Sequence, residues 1–322
     1  MNKLILIYFI FSSFFLQAQT DFRIVFYNVE NLFDTHNNSK TNDDEFTPKG
    51  SRHWSNYKYW QKIKKISKTL KIIGGWEGPA IIGLAEIEND TILKNLIYSD
   101  PLKNSNYGII HRDSPDHRGI DVALLYRKDK LFVINHKFFP LKDETGKIIN
   151  SREIVYAKGI IKGGDTLHIF VVHFPSRYGG YKKSEPNRLN AVNILMSITD
   201  SLNSAFINPK IVIMGDFNDT PSNKSIINLN KNNNINLLVC DHGTHKYQGK
   251  WSKLDHIFVS NSLLEKENII HVIGNTKVFK QEFLLEEDLK YLGNKPFRTF
   301  VGFKYNAGFS DHLPVYIDLK IK

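Results

Sequence analysis

Two polar residues that follow an apolar run are the strongest chemical feature of the sequence. In IVIMGDFND, residues 211–219, apolar residues lead through Gly215 to Asp216 and Asn218. A continuous apolar run predicts a strand buried on both faces, and polar side chains just past its end face a crevice. Period-two alternation would point Asp216 and Asn218 the same way, which suits a metal-bound water held against a phosphate. Because Gly, Asp and Asn are also common turn residues, the segment alone leaves a turn and a site equally open.

Other apolar segments end in groups of the same chemical kind. FRIVFYNV ends at Asn28, and PAIIGLAEIEND contains Glu86 and Glu88, of which Glu88 is the more typical helix-start residue. A glutamate at a buried strand end is costly unless it is paired or bound to a cation. The full set of strand-end groups comprises Asn28, Glu86, His173, Asp216, Asn218, Asp255 and His312, with Asp311 beside the last. Each is explicable alone as a cap, a turn or a buried polar group, but together they indicate that the fold gathers them.

Weaker candidates lie near the same strand ends. Arg177, in HFPSR, is a candidate phosphate contact. Asp121, at the head of the strand in RGIDVALLY, is placed either to orient His173 or to be an ordinary surface acid. Basic residues in loops are candidates for tracking a phosphodiester backbone, namely Arg112, Arg118, Lys182, Lys183 and Arg188.

The elements that carry these residues alternate between strands and helices. Helical spacing covers residues 57–73, 91–99 and 187–203, the last preceded by a polar loop at 181–186. A GGD turn at 163–165 predicts a hairpin, and residues 265–300 show no clear period. The alternation predicts an α/β fold, and the hairpin-like links predict mixed sheets. With no repeat or interdomain linker, we expect one domain over residues 20–322.

The first residues predict export. Lys3 precedes the apolar run LILIYFIFSSFFL and then QAQTD, with Ala18 at a cleavage point, so residues 1–19 are interpreted as a signal peptide. The run is too short for a comfortable membrane span, and we expect no stable membrane anchor after cleavage. The single cysteine, Cys240, excludes an internal disulfide. We therefore expect a bacterial protein that is periplasmic or secreted, and a monomer.

Composition narrows the class of partner without choosing one. The chain has 322 residues and 43 Lys+Arg against 33 Asp+Glu, a formal net charge of +10. Ordinary apolar and charged fractions exclude a disordered chain. A basic surface attracts anions, whether nucleic acid, phospholipid head groups or small phosphates.

Taken in order, six segments resemble the successive motifs of the endonuclease/exonuclease/phosphatase superfamily. They are NVEN, GLAEIE, VVHFPSR, GDFND, KLDHIFVS and SDHLP, and they run from about residue 22 to 318. The resemblance implies a mixed α/β (α+β) fold, a four-layer α/β/β/α sandwich of two mixed β-sheets flanked by helices. It also implies metal-dependent hydrolysis of phosphoester bonds.

The same resemblance implies a metal and a phosphate site. Glu86 would be the principal ligand of Mg²⁺, with Mn²⁺ or Ca²⁺ as alternatives, because hard cations take oxygen ligands. Asn28 would contribute to metal or phosphate binding, and Asp311 would lie close to the metal. Asp216 would orient or deprotonate the attacking water, and Asn218 would hold the scissile phosphate.

Two histidines complete the implied site. Asp255 and His312 would form a carboxylate–imidazole pair that favours the cationic ring. His173 takes a position at which some members have a His that aids leaving-group protonation and others have a Tyr. Arg177 is a weaker candidate for phosphate contact.

The substrate stays open between several readings. We favour a nuclease or general phosphodiesterase, with nucleic acid or another phosphodiester as partner. A phospholipid head-group or sugar/inositol-phosphate hydrolase is the alternative, in which aromatic-rich loops at 54–60 or 297–305 would face a lipid surface. A non-catalytic binding module is the third reading, but it has no need of the whole acid, amide and histidine set.

Overall fold

Two six-stranded mixed sheets form the centre of the computed structural model, which describes residues 22–143, 145–232 and 234–322. The predicted signal peptide, residues 1–19, lies outside the described residues. Strands are numbered in chain order. The first sheet contains, in spatial order, β13 (Ile270–Val278), β18 (Val315–Ile321), β1 (Phe22–Leu32), β2 (Ile81–Ile87), β4 (Asp121–Arg127) and β3 (Tyr107–Ile110). The second contains β5 (Leu131–Phe139), β6 (Ile154–Ile161), β7 (Thr166–His173), β8 (Lys210–Asp216), β12 (Asp255–Ser260) and β9 (Ile235–Leu238).

Helices and short hairpins surround the two sheets. The helices are α1 (Asn56–Gly74), α2 (Asp90–Tyr98), α3 (Tyr181–Ala205) and α4 (Lys224–Asn230), with 3₁₀ turns at Asp44–Phe46, Asn261–Leu263 and Glu282–Leu284. The paired short strands are β10 (His245–Tyr247) with β11 (Lys250–Ser252), β14 (Leu285–Glu287) with β15 (Asn294–Pro296), and β16 (Phe300–Val301) with β17 (Lys304–Tyr305). No helix among the described residues is both long and apolar enough to cross a lipid bilayer.

The two sheets share one connection pattern. Each has a single parallel pair, β1 with β2 in the first sheet and β7 with β8 in the second, and its other neighbours are antiparallel. The chain passes through α1 between the first pair and through α3 between the second. Parallel neighbours need such crossovers. The two strands of each pair therefore end at the same edge of the sheet, where the loops that follow them lie side by side.

Three apolar clusters bury the faces of these elements. One joins side chains of both sheets, a second joins the first sheet to α1 and α2, and the third joins the second sheet to α3 and α4. This is the expected four-layer α/β/β/α arrangement. In α1, Ile63, Ile66, Leu70 and Ile73 recur at threes and fours and are buried, each stabilising the fold by about 1.5–3 kcal/mol. Ser55 caps the helix by accepting a hydrogen bond from the Lys58 backbone N–H.

One sequence expectation about the elements is wrong, and two parts of the chain, residues 265–300 and β5, carried no prediction. Residues 181–186 are not a loop, because α3 already begins at Tyr181; their polarity reflects an exposed first turn. The aperiodic stretch 265–300 contains β13, in which a register shift between Ile273 and Lys277 breaks the alternation. The mostly exposed edge strand β5 was missed, since it lacks a buried face to give it a period.

Candidate active site

A row of three titratable residues crosses the end of the second sheet. His173 ends β7, Asp216 ends β8 and Asp255 begins β12, and Asp216 is the direct cross-strand partner of both others. β7 and β8 approach so closely here that a Cβ added at Gly215 would lie 2.2 Å from the carbonyl oxygen of Val172. The row exists because the three strands reach the same edge in register.

Asp216 lies between two imidazoles. Its Oδ2 is 3.6 Å from Nε2 of His173 and 3.8 Å from Nε2 of His312. Its Oδ1 accepts a hydrogen bond of 2.9 Å from the backbone N–H of Asn218. Burial, together with the charge of Asp255 opposite, raises the pKa of Asp216 to about 7, against a lowering by His312. A carboxylate with this pKa is suited to accept a proton near neutral pH.

His312 is held as a cation. Its Nδ1 lies 2.7 Å from Oδ2 of Asp255, and both side chains are buried. Burial alone would lower the pKa of His312, but the charges of Asp255 and Asp216 outweigh it and raise the pKa well above the usual value. Ser310 fixes the loop by accepting from the His312 backbone N–H and donating to the Asn28 carbonyl oxygen.

His173 is held neutral on the other side of Asp216. Burial and the nearby cations Arg152, Arg118 and His312 lower its pKa well below the usual value. Its Nδ1 is buried and has no hydrogen-bond partner among residues 22–143, 145–232 and 234–322. Because Nε2 faces the carboxylates of Asp216 and Glu86, the tautomer with the proton on Nε2 is favoured.

The first sheet supplies Asn28 and Glu86. The amide Nδ2 of Asn28 donates to Oδ2 of Asp216 at 3.0 Å and to Oε1 of Glu86 at 3.3 Å, which ties the two sheets together. The other oxygen of Glu86 accepts from the Asn31 backbone N–H at 2.8 Å. Glu86 and Asn31 have φ values of 66° and 48°, a left-handed conformation that costs energy and is typical of functional sites.

Comparison with known proteins identifies the class of this site. The sequence profile of the endonuclease/exonuclease/phosphatase family matches residues 23–321. The chain belongs to this family. Its members hydrolyse phosphoester bonds, typically with a metal ion, and the gathered acids, amide and imidazoles of this family member agree with that chemistry.

Solved structures of the family share the fold at low sequence identity. A family member from Bacteroides vulgatus is 15% identical with a TM-score of 0.60, over 94% of this chain and 100% of that one. A mannosyl-6-phosphatase from Bacteroides thetaiotaomicron is 19% identical with a TM-score of 0.60, over 92% and 98%. TDP2 from D. rerio, complexed with single-strand DNA product, is 13% identical with a TM-score of 0.58, over 93% and 99%. No curated protein matches the chain in sequence.

Asn218 and Arg177 lie together, but not as strand alternation predicts. β8 ends at Asp216, and Asn218 has a left-handed φ of 52°, so period two does not orient its side chain. Its Nδ2 donates to the Phe174 carbonyl oxygen at 3.0 Å. The guanidinium of Arg177 donates to the Asn218 carbonyl oxygen at 2.6 Å and to Asn223 at 2.9 Å. In this arrangement Arg177 stabilises the loop that carries Asn218.

Asp311 belongs to an ionic network that sequence reasoning missed. Its Oδ2 accepts from Arg298 at 3.0 Å, and Arg298 also reaches Oε1 of Glu30 at 3.1 Å. Burial would raise the pKa of Asp311, but the charge of Arg298, followed by that of His312, lowers it below the usual value. The half-exposed Arg298 is a further candidate for phosphate contact. It follows β15 within the aperiodic stretch, where no pattern marked it.

Other sequence candidates lie elsewhere. Asp121 is neither a partner of His173 nor a surface acid, because it is buried and accepts from the Ser114 backbone N–H at 2.9 Å. Arg188 is fully buried against Asp219 at 2.8 Å and cannot track a substrate backbone. Glu88 does not share a site with Glu86. It accepts from the backbone N–H of Asp34 at 2.7 Å.

The donor chemistry fits a hard divalent cation. Glu86 is partly exposed, and Oδ1 of Asp255 is buried without a hydrogen-bond partner in the described part of the chain. Asp216, Asp255 and His312 also place ligand atoms within 4.8 Å of one another. Because His312 already donates to Asp255, Glu86 is the more available ligand. Asn28 turns its amide nitrogen to Glu86 and its oxygen to the Glu30 backbone N–H, so a ligand role would require the carboxamide to turn.

Proposed function

We propose that the protein is a metal-dependent hydrolase of polar phosphoesters, with a nucleic-acid or related phosphodiester as the first candidate substrate. The observation that carries the proposal is the position of Asp216, a carboxylate with a pKa of about 7 between a cationic and a neutral imidazole. Such a site can take a proton from water on one atom and give hydrogen bonds to a phosphate from its neighbours.

The proposed roles follow from the directions of the pKa shifts. Asp216 accepts the proton of the attacking water, whose oxygen forms the new bond to phosphorus as the bond to the leaving oxygen breaks. His312, cationic beside Asp255, is the better proton donor for an oxygen that develops negative charge. His173 is neutral and therefore supplies a hydrogen bond from Nε2 rather than ready general-acid catalysis.

Glu86 is proposed as the main ligand of Mg²⁺, with Mn²⁺ or Ca²⁺ as alternatives, and with Asn28 and Asp311 nearby. When bound, the cation would neutralise charge on the phosphate oxygens. Arg298, which is held by Asp311 and Glu30, would add positive charge to the same region.

A polar cleft whose wall contains Arg152, a cation that acts on the pKa of His173, supports a polar leaving group. Arg152, in its wall, donates at 2.6 Å to the Phe174 carbonyl oxygen, which also accepts from Asn218 at 3.0 Å. The cleft has a volume of about 490 Å³, and its lining includes Arg118, Asn150, Ser151, Arg152, Tyr178 and Asn187. The exposed ring of Tyr178 can stack on a base or a sugar.

A sugar-phosphate monoesterase is the second candidate, because the cleft is lined by amide, hydroxyl and guanidinium groups that suit a polyhydroxylated ligand. The fold neighbour described as a mannosyl-6-phosphatase is consistent with this alternative. A lipid substrate has less support. Trp54 and Phe300, in the two aromatic segments suggested to meet a lipid, are buried, although Tyr57, Trp60 and Phe303 in the same segments are exposed.

The deciding experiment compares substrates side by side. The mature protein, residues 20–322, is incubated with Mg²⁺ or EDTA and given plasmid DNA, RNA, a chromogenic phosphodiester, hexose 6-phosphates and sphingomyelin. Asp216→Ala is the inactive variant, and Asp44→Asn, which changes an exposed carboxylate in a 3₁₀ turn, is the matched control. We expect hydrolysis of a polar substrate only with metal and only with Asp216. Activity that survives in folded Asp216→Ala would overturn the mechanism.

The proposal includes export, which rests on the predicted signal peptide of residues 1–19 alone. Expression of the full chain in a bacterial host should place a shortened protein in the periplasm or medium, as a monomer by light scattering. Retention of the full-length chain in the cytosol or membrane would contradict this part.

A further inference from the structure

A second group of metal-ligating side chains lies where β3 and β4 meet. His111 directly follows β3, Asp121 begins β4, and Asp113 lies in the connection between the two antiparallel strands. One ligand atom from each residue lies within 4.8 Å of those of the other two. None of the three has a role in the proposed hydrolysis.

The imidazole of His111 is oriented like that of a metal ligand. Its side chain is only 2% exposed, and Nδ1 lies 2.9 Å from Oδ1 of Asp90 at the start of α2. Nε2 is buried and makes no hydrogen bond to any residue of the described segments. A carboxylate that holds one ring nitrogen while the other points into a group of acids is the usual arrangement around a metal-bound histidine.

Asp121 uses one carboxylate oxygen in hydrogen bonds and turns the other toward His111. Its Oδ1 accepts from both the backbone N–H and the hydroxyl of Ser114, whereas Oδ2 lies 3.5 Å from Nε2 of His111. Asp113 is exposed and supplies a second carboxylate at the solvent side. The group therefore has two buried ligands in fixed positions and one ligand where an ion can enter.

We infer that His111, Asp113 and Asp121 form a second metal site, selective for a divalent transition ion such as Zn²⁺. An imidazole with two carboxylates suits Zn²⁺ or a similar ion better than Mg²⁺, which prefers oxygen ligands and bound water. With ligand bonds of about 2.0–2.2 Å, tetrahedral ligand atoms lie roughly 3.4 Å apart. Nε2 of His111 and Oδ2 of Asp121 are already at 3.5 Å, and the exposed carboxylate of Asp113 would move in to complete the group. This inference goes beyond the proposed function and does not depend on it.

The site would fix the connection between β3 and β4. That connection also carries Asp116, which holds both Arg152 and Arg118 beside the polar cleft. A cation at His111 would thus brace the loop from which the cleft is built, without taking part in the chemistry at Asp216.

A proton is the alternative occupant. Burial would lower the pKa of His111, but Asp121 and Asp90 together raise it, so an imidazolium shared by two carboxylates also satisfies the group. Metal binding would have to displace this proton and would weaken as the pH falls. The two occupants make different predictions for metal content.

The test measures metal per chain. Mature protein stripped with EDTA is dialysed against Zn²⁺ in excess Mg²⁺, and bound zinc is measured by mass spectrometry in the Glu86→Gln background. His111→Asn should bind one Zn²⁺ fewer per chain than His117→Asn, the matched control in the same loop, whose exposed imidazole is no part of the group. Asp113→Asn, an exposed change that leaves the fold intact, should weaken Zn²⁺ binding at least tenfold. Co²⁺ should give a visible absorption band that His111→Asn loses.

Equal zinc content in His111→Asn, Asp113→Asn and His117→Asn would overturn the inference and leave His111 as a doubly paired imidazolium. A chain that binds no Zn²⁺ at all would do the same. Since the readout is metal content rather than hydrolysis, either result leaves the proposed function untouched.

Discussion

Asp216 lies between two histidines, His173 and His312, whose pKa values are shifted in opposite directions. Nε2 of His173 and Nε2 of His312 lie at similar distances from Oδ2 of Asp216, 3.6 and 3.8 Å, and both rings are buried. Yet Nδ1 of His312 pairs with Asp255 and the pKa of that ring is raised, whereas the charges of Arg152 and Arg118 help to lower the pKa of His173. Burial acts in the same direction on both rings, so the neighbouring charges decide the difference.

The difference shows that residue type alone does not assign a catalytic role. His173 ends an apolar segment of the sequence and His312 precedes one, and either would suit a proton donor there. Only the fold shows that Nδ1 of His312 has the carboxylate of Asp255 as its partner, whereas Nδ1 of His173 has no hydrogen-bond partner among the described residues. The following predictions change one side of this comparison at a time.

The largest effect is expected from Asp216→Asn, which removes the group that both rings face. An amide cannot accept the proton of the attacking water, so kcat should fall by about 10,000-fold, the upper end of what a positioned acid or base contributes. Steady-state kinetics on the best substrate, with circular dichroism to confirm folding, measures this. A fall of less than tenfold would remove Asp216 from the mechanism.

The next effect is on the pH dependence of the rate, which depends on Asp216 and His312. The rate should fall below about pH 7 as Asp216 becomes protonated, and should fall again at high pH as His312 loses its proton. Asp255→Asn removes the charge that raises the pKa of His312, so the alkaline limb should move to lower pH. The profile of kcat/KM against pH tests this; because the charge of Asp255 also raises the pKa of Asp216, the acid limb should move to lower pH as well. An unmoved alkaline limb would show that His312 is not the group that titrates.

A smaller effect on kcat is expected from changing His173. His173→Gln keeps a hydrogen-bond donor near the position of Nε2, and a neutral His173 supplies only such a donor. We expect kcat to fall by about 100-fold or less, the lower end for a positioned group, with both limbs of the pH profile unchanged. A loss as large as that of Asp216→Asn would mean that His173 carries the proton itself.

The smallest effect on activity, but a clear one on stability, is expected from Glu88→Gln. Burial, followed by the charges of Asp34, Asp43 and Asp113, raises the pKa of Glu88 to about 8. The folded chain therefore keeps a proton that the unfolded chain releases, and stability should fall as pH rises from about 4.5 to 8. The Gln variant lacks this loss and should be more stable by a few kcal/mol at pH 8, and equal near pH 4. Urea unfolding in EDTA at both pH values measures the difference; equal stability at pH 8 would contradict it.

Much of the frame could be predicted from local pattern. The periodicity of Ile63, Ile66 and Leu70 gave α1 to within a residue or two, and the apolar run before Gly215 gave β8. Polar residues at strand ends could be recognised as one set because a strand positions whatever follows it.

The rest depended on contacts between distant segments. Arg298 meets Glu30 across 268 residues of chain and Asp311 across 13, and no local period marks a residue that acts through such contacts. Neither sequence alternative for Asp121, a partner of His173 or a surface acid, placed it beside His111, because the pairing of β3 with β4 and not sequence order brings the two together. The split between His173 and His312 likewise depends on Arg152, a buried cation that had no strand-end signal.

The most direct test of the account is the protonation state of the two rings in one sample. Imidazole ¹⁵N shifts of the mature, metal-free protein, assigned with His173→Gln and His312→Gln, would be followed from pH 5 to 9. We predict that His312 stays doubly protonated at pH 7 and that His173 stays neutral, with its proton on Nε2, at pH values where an ordinary imidazole is already protonated. Two rings that titrate together near their ordinary pKa, or a cationic His173 beside a neutral His312, would contradict the account.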